Sequence, residues 1–112
     1  MRSTRLASAL LLSALAVPAL AQPALAQDVS FQLVNNSGLT LMEFHATPAI
    51  GGAESDDLLV ASVMAPGEAG SVTIPGSAES CDQDLRFVFE DGSEMVDRLN
   101  VCATPSYTLN PA

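Results

Sequence analysis

The chain predicts an all-β fold: a small β-sandwich of about seven short strands with one disulfide, preceded by a signal peptide. Three observations carry this expectation. Apolar and polar residues alternate in several short runs, as in Val29, Phe31 and Leu33 and again in Leu85, Phe87 and Phe89. Turn-forming residues separate the runs at roughly the 8–12-residue spacing of a β-sandwich. The two cysteines, Cys81 and Cys102, bracket a segment with Asp91-Gly92 near its middle, the pattern of a hairpin closed by a disulfide.

Residues 1–26 read as the signal peptide. Arg2 and Arg5 form a basic start, and Leu6 to Val17 is an apolar run too short to span a bilayer. Ala24-Leu25-Ala26 supplies the small-x-small pattern of a cleavage site, with Ala19-Leu20-Ala21 as an earlier alternative. The arginines are not adjacent, which argues against a twin-arginine signal. No cysteine follows the run to carry a lipid anchor. The expected product is one domain, residues 27–112, exported to the periplasm or the cell exterior.

All 13 acidic residues fall in 27–112, with only Arg86 and Arg98 to oppose them, and lysine is absent. The net charge of this part is −11. Such a field repels phosphate backbones and anionic headgroups, so neither nucleic acid nor membrane insertion is expected. It suits cations or basic protein partners, and it also serves solubility. A domain of this length builds a modest core and gains from a covalent staple. Two cysteines in an exported chain therefore read as one disulfide. Redox Cys-x-x-Cys spacing and a full zinc ligand set are both missing.

The first strand runs from Val29 to Val34 and ends at Asn35-Asn36-Ser37-Gly38, a turn by composition. Asn35-Asn36-Ser37 also matches a glycosylation acceptor, but turn chemistry accounts for it. Leu39 to Thr47 forms a second strand, ended by Pro48. Its two faces are both apolar, which points to a central position in its sheet. Residues 48–57 make a long acidic loop. Leu58 to Met64 is an apolar run that periodicity leaves open between a buried strand and a short helical turn. Ala65-Pro66-Gly67-Glu68 is a turn, and Ser71 to Ile74 a short strand with Val72 and Ile74 inward.

The hairpin follows, and then a last strand at Tyr107 to Leu109. With Asp91 and Gly92 as a two-residue loop, Arg86 faces Asp97, Phe87 faces Val96, and Cys81 faces Cys102. That register leaves Leu99 on the wrong face. A one-residue bulge in the second arm would move it onto the Leu85 face, so the register stays open. No amphipathic helix of useful length follows residue 26.

The series Phe31-x-Leu33-x-Asn35-x-Ser37-Gly38, Leu41 to Pro48, Leu58-Leu59, Pro66-Gly67-Glu68, Cys81-x-x-Asp84-Leu85, Asp91-Gly92 and Asn100-Val101-Cys102 resembles a family of small exported bacterial β-proteins. Their marks are a signal peptide, an Asn-x-(Thr/Ser)-Gly strand end and a C-terminal Cys…Asp-Leu…Asp-Gly…Cys block. Where such proteins often carry Trp-Gly, this chain has Gly51-Gly52-Ala53-Glu54. The resemblance implies fold and compartment, and no activity.

Candidate chemistry is sparse. His45 is the only histidine, and Glu43 would share its strand face as a catalytic pairing does. A nucleophile motif and a second histidine are missing, so no enzyme is expected. Met42, Met64 and Met95 are scattered as core fillers are, not clustered as copper ligands. The acidic groups stand out: Glu54, Asp56 and Asp57 in one loop, Asp82 and Asp84 beside the disulfide, and Glu90, Asp91 and Glu94 about the hairpin turn. The first five form the candidate contact or cation surface. The leading expectation is a non-enzymatic domain that binds a partner or serves the cell envelope. The alternative is a calcium-dependent or calcium-stabilised binding module; calcium needs six to eight oxygen ligands, and no EF-hand loop is present.

Overall fold

The computed structural model describes residues 27–60 and 62–112, and the signal-peptide reading with its two cleavage sites falls on residues outside these. Period-two alternation produces six strands among the described residues: β1 (Val29–Asn35), β2 (Leu41–Pro48), β3 (Ala69–Ile74), β4 (Asp82–Phe89), β5 (Glu94–Asn100) and β6 (Ser106–Leu109). They form two three-stranded sheets, β3-β1-β6 and β2-β4-β5. The all-β class and the Cys81–Cys102 disulfide are as the sequence predicts.

Each sheet turns its apolar face to the other. Phe31, Leu33, Val72, Ile74 and Leu109 come from the first sheet, and Phe44, Leu85 and Phe87 from the second; all are buried. An aromatic stack runs between them. Tyr107 lies parallel to Phe87 at 5.8 Å between ring centroids, Phe87 to Phe44 at 5.0 Å, and Phe31 meets Phe44 edge-on at 6.2 Å. Offset and edge-on contacts of this kind add about 0.5–1.5 kcal/mol each beyond burial. β6 pairs with β1 in parallel, so the first and last strands of the domain are neighbours.

Three details differ from the sequence reading. The run Leu58–Met64, which periodicity leaves open between strand and turn, supplies no strand among the described residues, so six strands are found there where the sequence predicts about seven. Residues 58–60 form a turn in which the Asp57 carboxylate accepts from Leu59 N at 3.0 Å, and only Met64 bridges back to Leu41. Leu59 and Met64 are each 8% exposed and act as plugs, a role that apolar character alone does not distinguish from a strand.

Second, β2 lies at the edge of its sheet and not at the centre. Its two apolar faces arise from a register shift between Leu41 and Glu43, which lets both Leu41 and Phe44 point inward.

Third, the hairpin loop has three residues. Phe89 N donates to Ser93 O at 2.9 Å, and Gly92 takes the left-handed conformation (φ 84°) that closes a three-residue loop. Every pair moves by one, so that Arg86 faces Val96 and Leu85 faces Asp97. Leu99, opposite Gln83, now shares the Leu85 face and packs on the core. Cys102 then lies one residue past the point opposite Cys81. A short 3-10 turn, Val101–Ala103, swings it back: Asn100 Oδ1 accepts from the N–H groups of Cys102 and Ala103, leaving the two cysteine Cα atoms 5.3 Å apart.

Candidate functional site

Alternation along β2 and β4 puts Glu43, His45 and Arg86 on the outer face of the β2-β4-β5 sheet, with His45 directly across the ladder from Arg86. The segment after Pro48 folds back along the free edge of β2. Ser55 N donates to Ala46 O at 2.9 Å, Ala46 N to Ser55 Oγ at 3.0 Å, Leu58 N to Phe44 O at 2.7 Å, and Phe44 N to Asp57 Oδ1 at 3.1 Å. The acidic loop is thus an irregular extra edge that satisfies backbone groups β2 would otherwise leave open.

His45 sits at the centre of this arrangement and is 9% exposed. Its Nε2 is 2.8 Å from Glu43 Oε1 and its Nδ1 is 2.9 Å from the Ser55 carbonyl. Both neighbours only accept when Glu43 is ionised, so both ring nitrogens make good bonds only as N–H donors, in the imidazolium form. Burial pulls the His45 pKa down, but the bonds to Glu43 and Ser55 and the charge of Glu54 outweigh it and raise the pKa, against a smaller opposing push from Arg86. Arg86 grips Glu54 with two bonds, at 2.8 and 2.7 Å, and its Nη1 lies 3.5 Å from Glu94. The Arg86 bond, more than any other influence, lowers the Glu54 pKa.

The five acidic residues marked in the sequence do not form one cluster. Glu54 is held by Arg86, and Asp57 accepts from the backbone of Phe44 and Leu59. Asp84 is paired twice with Arg98, at 2.7 and 3.0 Å, which lowers its pKa. Asp56 and Asp82 are exposed. Among the described residues, no three His, Cys, Asp or Glu side chains are grouped so as to hold a metal ion.

Ser55 was not singled out by the sequence. Beside His45 and Glu43 it supplies the residue types of a hydrolytic triad. The geometry is not that of a triad: His45 meets the Ser55 carbonyl, and Ser55 Oγ donates to Asp56 O at 2.8 Å. No sequence signal marks a residue that acts through its backbone. An apolar hollow of about 140 Å³ lies at one end of the sandwich, among Leu39, Phe89 and Met95, with Ser37 and Ser93 in its lining. Small-molecule sites generally enclose about 300–1,000 Å³.

Several motif residues have structural tasks. Asn35 is fully buried; its Nδ2 donates to Leu39 O at 2.8 Å and Met64 O at 2.9 Å, and its Oδ1 accepts from Ser37 Oγ at 2.6 Å. A glycan on this nitrogen is incompatible with the fold. Gly67 N and Glu68 O bond the Asn35 backbone from the other side.

Fold and site together define a disulfide-closed β-sandwich whose most connected polar cluster ties a loop to a sheet edge. No protein-family model matches the chain, and no curated protein matches it either. Among solved structures, an NMR structure of a protein from Eubacterium rectale is similar over 75% of this chain and 76% of that one, at 9% identity and a TM-score of 0.47. That likeness is too distant to assign a function.

Proposed function

We propose that the protein is an exported, non-enzymatic binding domain, periplasmic or secreted, whose acidic surface meets a basic partner. The observation that carries the reading is the charge balance. Residues 27–112 hold 13 acidic groups, and both of their arginines are already engaged by carboxylates. The remaining field attracts cationic groups at long range and is screened over about 8 Å at physiological salt. The disulfide suits an oxidising compartment. The non-enzymatic part rests on His45, whose two nitrogens are both committed, leaving no lone pair to act as a base.

Glu54 and Asp57 hold the loop, so the contact carboxylates are assigned to exposed Asp56 and Asp82. A labelled lysine-rich peptide serves as the probe in fluorescence anisotropy. Its affinity should fall as salt rises, and fall further for Asp56→Asn combined with Asp82→Asn. An affinity indifferent to both changes overturns the acidic-surface reading. Turnover of a substrate that His45→Ala abolishes overturns the non-enzymatic one. A rise in melting temperature specific to calcium over magnesium would favour the alternative, a calcium-dependent or calcium-stabilised module.

A further inference from the structure

We propose that the open edge of β5 is a self-complementary surface that pairs with β5 of a second copy of this chain. β5 is bonded to β4 on one side and, among the described residues, has no strand on the other. The bonds from Phe89 N to Ser93 O and from Val101 N to Cys81 O place the hydrogen-bonded pairs of this ladder at the odd-numbered residues of β5. The backbone N–H and C=O groups of Glu94, Val96 and Arg98 consequently point away from the sheet.

Of the usual protections of an edge, β5 carries charged side chains, Glu94, Asp97 and Arg98, but no bulge. The β2 edge is covered by residues 55–58, and β6 is only four residues long. β5 runs seven residues beside β4 in unbroken register, with no proline or lysine. Val96 is 64% exposed at its middle, on the outer face.

The sequence of β5 selects the partner. An antiparallel pair centred on Val96 sets Val96 against Val96 of the second copy, Glu94 against Arg98, and Arg98 against Glu94. Each of these three pairs would exchange two backbone hydrogen bonds, and the outer face would carry an apolar contact flanked by two opposite-charge pairs. This is the two-fold, isologous arrangement of most homodimers. β3, the other long open edge, contains no charged residue and has no such register preference. Asp84 uses only Nε and Nη2 of Arg98, and a guanidinium has five N–H donors, so this pair leaves donors for Glu94 of the second copy. On the inner face Asp97 is drawn to its own domain by the Tyr107 hydroxyl, away from the shared seam.

Sedimentation at fixed, moderate salt tests the pairing through its charges. The purified protein should show a concentration-dependent monomer–dimer equilibrium. Glu94→Arg alone and Arg98→Glu alone should each remain monomeric, since each sets like charges opposite one another. Mixed in equal amounts, the two variants should form a heterodimer, because each of the two charge pairs then sets an arginine against a glutamate. Hydrogen exchange on the unaltered protein needs no variant: the amides of Glu94, Val96 and Arg98 should lose protection on dilution, while Met95 and Asp97 keep theirs. A protein monomeric throughout, variants that fail to pair on mixing, or amide protection independent of concentration would each overturn the proposal.

Discussion

Asn35 shows how much of this domain depends on single side chains. Its amide links the end of β1 to Leu39, just before β2, and to Met64. Asn35→Ala removes these bonds without replacing them and should cost about 2–3 kcal/mol, read from urea denaturation, at roughly 1 kcal/mol per bond. Asn35→Asp should cost more, since it aims a charged oxygen at two carbonyls. His45 carries a pH dependence whose sign follows from its raised pKa. Protons bind the folded state more tightly, so its stabilisation is complete below the unfolded value of about 6.5 and is lost as pH rises through the higher folded value. Urea midpoints should fall across that window, and His45→Gln should flatten the fall. A midpoint that climbs there would contradict the imidazolium geometry. The Glu43–His45 pairing was legible from two-residue spacing on a strand. Ser55 was not, because it contributes a carbonyl that every residue type possesses.

At the scale of elements, β1, β3, β4 and β6 were legible because each buries one face and alternates strictly. What alternation could not supply was register. Asp91-Gly92 fits a two-residue loop as well as the last two positions of a three-residue one, and the choice lies with packing of Leu99 on the core from the face it shares with Leu85. The misplaced Leu99 was the one available sign. β2 misled for a related reason: its shift at Met42 gives it two apolar faces without placing it centrally. The disulfide, expected opposite itself in the ladder, needs the Asn100-capped turn to form. Replacing both cysteines by serine should lower stability by about 2–4 kcal/mol. Asn100→Ala should cost about 1 kcal/mol as the loss of a cap. Thermal melts of both variants against the parent check these values, and free thiols in the native protein would defeat the first.

For the whole molecule, composition gave the charge and compartment expectations, while the pairing of distant segments had no local signal. The parallel partnership of β1 and β6 is the clearest case, and it bears on how the protein reaches its native state. β1 is the first strand made and β6 the last, so β1 waits through the synthesis of every other strand before its sheet can be completed. Contacts this far apart in the chain carry a large loop-closure cost before they return any stabilisation, and they slow folding. The β4–β5 hairpin, by contrast, joins strands only a few residues apart and can form early. Refolding should therefore show hairpin amides protected first and β1 amides last, in pulse-labelled hydrogen exchange. A chain ending before Ser106 should fail to fold cooperatively, although it retains the whole of the β2-β4-β5 sheet. It lacks the Tyr107 ring on Phe87 and the neighbour that β1 requires. The final strand is then the latch of the domain: until it arrives, the chain has a hairpin but no half-molecule that can stand alone.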